Sequence, residues 1–571
     1  MTTAVIELLK EDTLSVTFPY DAKTVGLIKI LRVRRWNASR KRWEVHLSHL
    51  PELLRIFKLS EEQVDPEILK KYRDGWTGTG LRVKLGPLRG KLSGPGAPIE
   101  RIDAATSFPV PGFKFSEKFK TGQWDGRKHL FDARGLTFPA GLWSKVQAQL
   151  EAAKVSYEVE TERAPEGRFR PLSAAPENVP LRPYQETALA QALANGCGII
   201  QMATGGGKTM LAAHLIRRLD RPALFFVHTL DLLYQTARVF ERELGQEIGI
   251  LGDGQATLRP VTVATIQTVA TACSGTRPAR KPKPDDEEER EERPVHFDEA
   301  TRREVIDYLE SVPVVIFDEC HHVPADTFYK IAMRTVGARW RFGLSATPWR
   351  DDGADLMLEA ALGPCIHKTA ASDLIDAGYL VKPLIQMQPA PPLALRRRME
   401  YHDLYQMAIV ENRERNRVIA ARARQWAAEG CSVLILVAQV AHGELLSNLL
   451  PEARFAYGSL DAELRRQYLD ELERKLQPIM IATTLADEGL DVPTLGGLIL
   501  AGGGKSQTRA FQRIGRVLRP ADGKTQARVL DFLDDAPWLR NHSQARLALY
   551  RQEPRFQIQM LRREAPCPSG S

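Results

Sequence analysis

The sequence predicts an α/β protein with two lobes, each a parallel sheet flanked by helices, preceded by small α+β accessory domains. Three observations predict this. From about Leu181 onward, short apolar runs rich in β-branched residues alternate with helix-length segments, as buried parallel strands with crossover helices do. The runs form two series: 198–202, 223–227, 261–265 and 314–317, then, after about residue 380, 433–437, 479–482, 497–501 and 527–532. At 571 residues the chain is also too long for one hydrophobic core and should divide into several domains.

Ahead of the lobes, residues 1–60 read as a small basic module. It holds a strand at 14–18, a helix at 24–31, a hairpin of strands 33–36 and 42–47 around Asn37-Ala38-Ser39, and a helix at 50–57. A second accessory unit spans 61–165, with a Gly/Pro-rich stretch at 86–98 and a dense segment from Lys120 to Asp132. Residues 166–180, repeating Pro and Ala, read as a linker. The first lobe then covers 181–380, the second 381–540, and a basic tail 541–571. Within the first lobe, 275–294 is of low complexity, a basic piece followed by an acidic block. It cannot bury enough apolar surface to order itself, so a mobile loop is expected.

Composition narrows the class. Hydrophobic residues make up 43% and charged residues 26%, which excludes a mainly disordered chain. No apolar run is long enough to span a bilayer, and residues 1–10 lack a basic segment followed by an apolar one, so a cytoplasmic location and no membrane partner are expected. The six cysteines are scattered without a Cys-x-x-Cys pair, so neither a zinc site nor a disulfide framework is expected. The net charge of +8 is unevenly placed: residues 1–170 hold 30 Lys+Arg against 21 Asp+Glu, and the remainder is near neutral. A basic appendage beside a neutral body suits a polyanion, because phosphate neutralisation releases counterions; ordinary solvated surface is the alternative.

The chemistry-bearing motifs occur in one order. The run at 198–201 leads into Ala203-Thr204-Gly205-Gly206-Gly207-Lys208-Thr209. Glycines let backbone amides approach phosphate oxygens, Lys208 neutralises their charge, and Thr209 can hold Mg²⁺. Met202 stands where the general pattern has its first glycine. Asp318 and Glu319 follow the apolar strand 314–317, placing two carboxylates at a strand exit. Asp318 is the expected Mg²⁺ ligand and Glu319 the base for the attacking water. The neighbouring His321 is read as a group that reports nucleotide state across the lobes. Ser345-Ala346-Thr347, then Gly489 and Asp491, and then Gln512-Arg513-Ile514-Gly515-Arg516-Val517-Leu518-Arg519 follow. Arg516 and Arg519, three apart, are expected on one helix face, with Gln512 and Arg513 one turn earlier, to stabilise transition-state charge from the second lobe. The set implies ATP and Mg²⁺ as cofactors.

These motifs together resemble the superfamily 2 helicases over roughly residues 178–540, which implies two RecA-like lobes with ATP between them. The resemblance implies that Arg182 and Gln185, in Leu181-Arg182-Pro183-Tyr184-Gln185, lie at the adenine, and that Gly489 and Asp491 lie near the ribose and the nucleic-acid backbone. It makes Ser345 and Thr347 the coupling segment, and Thr229, Thr265 and Gln267 contacts to the tracked strand. The Asp318-Glu319-Cys320-His321 box with Trp349-Arg350-Asp351-Asp352 is most similar to the XPB-like and phage UvsW-like branch. Residues 16–21, Arg35-Trp36-Asn37 and Lys41-Arg42-Trp43 resemble the HARP module of annealing helicases, which act on forks. Thr121-Gly122-Gln123-Trp124-Asp125-Gly126 with Phe138-Pro139-Ala140-Gly141-Leu142 is similar to the UvsW accessory domain. Five of the nine tryptophans lie in this region among arginines and lysines, and aromatic faces can stack on unpaired bases while cations hold phosphates. Trp36, Arg42, Trp43, Trp124 and Arg127 are therefore candidate DNA contacts, although each tryptophan alone is more often a core residue.

The expected function is an ATP-dependent DNA helicase or translocase acting on branched or forked DNA in repair or recombination. An RNA helicase or R-loop remover stays open, since backbone contacts do not by themselves read the 2′-hydroxyl. A nucleic-acid-binding scaffold with an inactive motor is the non-enzymatic rival; intact Lys208, Glu319, Arg516 and Arg519 argue against it.

Overall fold

The computed structural model describes the chain apart from residues 1–3, 11–12, 32–33, 78–80, 95–96, 163–171, 173–178, 275–296, 320–324, 347–354, 393–398, 459, 484–491, 504–506 and 563–571. The expected mobile insertion and nearly all of the expected linker lie outside the described residues.

The N-terminal module is a four-stranded antiparallel sheet ordered Val5–Lys10, Thr13–Thr17, Arg42–His46, Arg34–Asn37. Helix Ala22–Ile30 starts where the Asp21 carboxylate accepts from Thr24 N at 2.8 Å, satisfying an otherwise unpaired first-turn amide. The sheet and helix Leu50–Phe57 close on a core of Leu14, Val16, Ile28, Trp43, Val45 and Leu53. Strand Val5–Lys10 and helix Pro66–Thr77 carried no turn or periodicity signal strong enough to predict them.

The second module orders Tyr157–Thr161, Leu81–Leu85, Arg89–Ser93 and Thr137–Pro139 in one sheet, packed on helix Trp143–Ala152 through Phe138, Val146 and Leu150. A separate ribbon pairs Ser107–Pro109 with Arg127–His129. This module sits directly on the first lobe. Phe108 packs against Met357 with Leu130 and Tyr329 around them, Lys145 pairs with Glu359 at 3.2 Å, and Lys128 pairs with Asp326. The buried Arg341 donates to the Pro87 carbonyl, and Gly141 lies so close to the backbone of Glu359 and Ala360 that a Cβ there would collide.

Both lobes are parallel α/β sheets. The first runs Gln255–Thr257, Gly249–Gly252, Val261–Thr265, Ala223–Val227, Val314–Asp318, Trp340–Ser345, Cys197–Met202, Cys365–Thr369, antiparallel only at the first pair. The second runs Arg454–Ala456, Ile479–Thr483, Ser432–Val437, Leu495–Leu500, Gln526–Leu533, Lys382–Pro389, Gln557–Met560 and is parallel throughout. The predicted strands agree with these within about two residues, because parallel strands buried on both faces read as continuous apolar runs. This is the two-lobed RecA-like architecture.

One expectation is corrected. Residues 541–560 do not form a tail: helix Leu539–Tyr550 packs on the second lobe and Gln557–Met560 extends its sheet. Arg546, 2% exposed, donates twice to Asp531 at 2.8 Å, and Tyr550 OH donates to the same carboxylate at 2.9 Å. Its charge belongs to the core because a buried partner neutralises it. Among the described residues no helix is long and apolar enough to cross a membrane.

Candidate functional site

The phosphate loop follows strand Cys197–Met202, between Trp340–Ser345 and Cys365–Thr369. Gly205 and Gly207 have φ of +82° and +77°, conformations that a side chain would strain. A Cβ on Gly206 would meet Met202 Cγ at 2.6 Å, and one on Gly207 would overlap Gln185 Nε2. The loop is therefore a bare-backbone cradle opening on helix Lys208–Leu219, whose N-terminus favours an anion.

Two strands away, Val314–Asp318 delivers the acid pair. Asp318 is 6% exposed and its Oδ1 has no hydrogen-bond partner among the described residues. Burial first, then the neighbouring Glu319 charge, pushes its carboxyl up to about 6, against the pull of Lys208 and His228. A buried carboxylate with an orphaned oxygen beside Lys208 suits a hard cation, so the donor set fits Mg²⁺. Glu319 turns the chain at φ +43°, a left-handed conformation costing about 1–2 kcal/mol for a residue with a Cβ. It pairs with Lys208 through Oε1 and accepts from Ser345 Oγ at Oε2, 3.0 Å. Phosphate-loop cation, acid and coupling-segment hydroxyl thus meet at one point.

The second lobe closes on this point. Gly515, in helix Gln507–Val517, faces the phosphate loop so closely that a Cβ there would stand 2.5 Å from Thr204 Cβ. A Cβ on Gly205 would lie 3.7 Å from both Arg519 Cγ and Gly515 O. Ala203 belongs to the second lobe's hydrophobic core. Arg516 and Arg519 do not share a helix face as expected: the helix ends at Val517, and Arg519 precedes Pro520, which disfavours helical backbone at the residue before it. Arg519 is placed instead by its carbonyl, which accepts from Lys524 Nζ at 2.8 Å. Arg513 and Arg516 line a small cavity with Leu434, Leu436 and Leu498. Gln512 is half-buried on the same helix.

Gln185 is 5% exposed and donates from Nε2 to Gly206 O at 2.9 Å and Gly207 O at 3.3 Å, while its Oε1 accepts from Arg182 N at 2.8 Å. It braces the phosphate loop. Sequence reasoning missed Tyr184, whose hydroxyl donates to Gly206 O at 2.9 Å, although it stands inside the quoted Leu181–Gln185 string. It also missed Tyr379, whose ring lies 5.3 Å from that of Tyr184 and 4.6 Å beneath the Arg182 guanidinium; no local pattern marks it.

The candidate nucleic-acid residues divide. Thr229 Oγ1 caps helix Leu230–Leu244 by accepting from Leu232 N, and Thr265, 1% exposed, caps the next helix through Thr268 N. Each hydroxyl oxygen thus accepts at a helix N-terminus, as a cap does. Gln267 is exposed, its Nε2 donating to His228 O at 3.4 Å, so the two loops lie together. Trp36 is 47% exposed, but Trp43, cross-strand from it, is 8% exposed in the core. This corrects the expectation for Trp43: the two rings share one face with centroids 5.2 Å apart, but Trp43 stands on an inner strand over the core and Trp36 on the edge strand. Arg42 is half-buried against Glu44 at 3.3 Å. Trp124 Nε1 donates to Arg127 O at 2.8 Å, and Arg127 donates to Ser107 O at 2.7 Å, so both are used within the module. Thr209 opens its helix at the loop. His321, Thr347, Gly489 and Asp491 lie outside the described residues.

The family models agree with this geometry. "Type III restriction enzyme, res subunit" matches residues 178–350, "Helicase conserved C-terminal domain" 415–521, and "DNA helicase UvsW, N-terminal" 99–161. The chain is a superfamily 2 helicase. The helicase is 25% identical over 394 residues to the DNA 3'-5' translocase XPB2 of Sulfurisphaera tokodaii, covering 62% of this chain and 81% of that one. It is 24% identical over 464 residues to the ATP-dependent DNA helicase uvsW of Enterobacteria phage T4, covering 75% and 86%. The helicase spans about half of the putative DNA 3'-5' helicase Rad25 of Halobacterium salinarum, at 25% identity, with 60% of this chain and 52% of that one covered. Among solved structures, T4 UvsW aligns over 84% of this chain and 99% of its own at 20% identity and a TM-score of 0.40.

Proposed function

We propose that this ATP-dependent DNA helicase acts on branched or forked DNA, in repair or recombination, by moving along a strand as its lobes open and close. The observation that carries the reading is the seating of a basic accessory module on helices Ala325–Ala332 and Asp355–Leu362 of the first lobe through Lys128–Asp326 and Phe108–Met357. These helices follow the strands that end at Asp318, beside Glu319, and at Ser345. DNA held by the module is thereby tied to the elements that hydrolyse nucleotide. Two relatives, the XPB2 translocase and the T4 helicase, are DNA motors by name.

We assign the roles as follows. The backbone of Gly205–Gly207 with Thr204, Lys208 and Thr209 would hold ATP phosphates, and Asp318 with Thr209 would hold Mg²⁺; the bound nucleotide supplies the bond whose hydrolysis drives movement. Arg182 and Gln185 sit at the base end, with Gly489 and Asp491 on the ribose side. Lys208 and Glu319 restrain each other, so Lys208 must leave Glu319 before that carboxylate can take a proton from water. Ser345, with Thr347 and His321, links this exchange to strand movement. Arg516 and Arg519, positioned with Gln512 and Arg513, place cations against developing phosphoryl charge only when Gly515 meets Thr204, which ties turnover to closure. Gln267, Trp36 and Arg42 remain the proposed DNA-facing groups.

Steady-state ATPase rates with no nucleic acid, single-stranded DNA, linear duplex, a four-way junction and single-stranded RNA, with Lys208→Ala as blank, test the reading. Strongest stimulation by the junction supports it. Equal or stronger stimulation by RNA overturns it in favour of RNA remodelling.

A further inference from the structure

The ribbon Ser107–Pro109 and Arg127–His129 carries a knob, residues 110–126, beyond its Pro109–Arg127 end. The knob is tightly built. Val110 N donates to Gly126 O at 2.9 Å, Ser116 N to Phe113 O at 3.0 Å, Gly122 N to Phe119 O at 3.0 Å and Gln123 N to Lys118 O at 2.8 Å. Phe113 and Phe119 meet edge to face with centroids 4.7 Å apart. The Phe113 ring also lies against Gly126, where φ is +78° and a Cβ would collide. Below the knob, His129 is clamped between Asp103 at 2.8 Å and Asp125 at 3.0 Å, and Arg127 bonds across the ribbon to Ser107.

Phe115 is the exception. It is 84% exposed in a framework that turns its other phenyl rings inward, and it forgoes the burial that an apolar ring otherwise finds. Lys114, Lys118 and Lys120, within five residues of it in the chain, are exposed, with one acidic partner among them, Glu117, 3.3 Å from Lys120. A bare aromatic face with three exposed lysines within five residues of it in the chain, on a hydrogen-bonded knob, matches the unpaired base and flanking phosphates of a nucleic-acid strand. An apolar protein partner would not call for the lysines.

We propose that Phe115 is a wedge that stacks on the first unpaired base where a duplex parts, with Lys114, Lys118 and Lys120 on the adjoining phosphates. This rests on, and sharpens, the branched-DNA reading. The base of the ribbon is fixed to the first lobe through Phe108–Met357 and Lys128–Asp326, so the wedge advances with that lobe.

The test uses the full chain, wild type, Phe115→Ala and Phe115→Trp, on a fork carrying 2-aminopurine at its first unpaired position and on linear single-stranded DNA. Phe115→Ala should weaken fork binding about 5- to 150-fold, the range for loss of one base–aromatic stack. It should also abolish the 2-aminopurine response, with basal and single-strand-stimulated ATPase unchanged. Phe115→Trp should retain both. Replacing the three lysines by Ala should lower the salt slope of fork binding by roughly one for each phosphate that is no longer neutralised. Unchanged fork affinity and 2-aminopurine response in Phe115→Ala overturn the wedge, as does an equal loss on linear strands. Wild-type preference for forks separates the two readings: if absent, the branched-DNA reading fails while the 2-aminopurine response still reads Phe115; if present but untouched by Phe115→Ala, the wedge alone fails.

Discussion

Lys208 and Glu319 lie 111 residues apart in the chain and meet as an ion pair, whereas Trp36 and Trp43, cross-strand partners with ring centroids 5.2 Å apart, differ in exposure: the edge-strand ring is 47% exposed and the inner one 8%. The contrast between the motor lobes and the N-terminal modules is general. In the lobes, chemistry sits where parallel strands end, and the topology of the sheet brings distant strand ends together. In the modules, aromatic and basic residues fill the core and brace loops as readily as they face solvent. Trp43, Trp124 and Arg127 serve the fold, and the most exposed ring of the accessory module, Phe115, carries no motif.

The contrast can be broken or sharpened by experiment. The largest effect is expected in the motor: Lys208→Ala and Glu319→Gln should each lower DNA-stimulated ATP turnover by on the order of 10²–10³ or more, as loss of a charge-stabilising group does. Preserved turnover in either would break the motor side of the comparison. Next, Gly515→Leu places a side chain where a Cβ already stands 2.5 Å from Thr204 Cβ. Misplacement on that scale can cost about 10²-fold in turnover, and kcat should fall while thermal melting of the folded lobes is little changed. A normal kcat would show that catalysis does not need this closure.

Stability measurements address the modules and the end of the second lobe. Trp43→Ala should cost about 3–5 kcal/mol in chemical denaturation, as removal of a buried aromatic does. Trp36→Ala removes only the edge-strand half of the ring pair and should cost about 0.5–1.5 kcal/mol while weakening DNA binding. Equal costs would erase the distinction between the two. Arg546→Ala strands buried Asp531 and should destabilise by about 3–5 kcal/mol; a neutral result would return helix Leu539–Tyr550 to the status of a loosely attached tail.

The smallest effect concerns Asp318. Its folded carboxyl titrates near 6 against an ordinary 3.8, so between those values the native state keeps a proton that the unfolded chain has released, and stability without nucleotide falls as pH rises through that window. Mg²⁺ needs the ionised carboxylate, so stabilisation by Mg²⁺-nucleotide should weaken as pH falls through about 6. Thermal shifts from pH 5 to 8, with Asp318→Asn as control, read both trends; a pH-independent shift would remove Asp318 from the metal site.

Eight strands of the two lobes were legible within about two residues because burial on both faces leaves apolar runs such as 314–317, whereas strands with polar or exposed positions, such as Trp340–Ser345, Cys365–Thr369 and Lys382–Pro389, were not. The phosphate loop and acid pair were legible because phosphate and Mg²⁺ demand particular residue types at strand exits. Less was legible where spacing alone stood for geometry. Arg516 and Arg519 have helical spacing, yet Pro520 ends the helix first. Strand Gln557–Met560, exposed at a sheet edge, gave no pattern that set it apart from a tail.

By itself the sequence determined the two α/β lobes, the nucleotide cradle and the concentration of positive charge before residue 170, since these follow from local burial patterns and from groups whose chemistry is in their side chains. Tertiary structure alone decided that Gly515 meets Thr204, that Tyr379 stacks beside Tyr184, that Arg546 is buried, and which N-terminal aromatic faces water. Those outcomes depend on contacts between residues far apart in the chain, and a residue's type constrains its partners without saying which of them the fold will bring near.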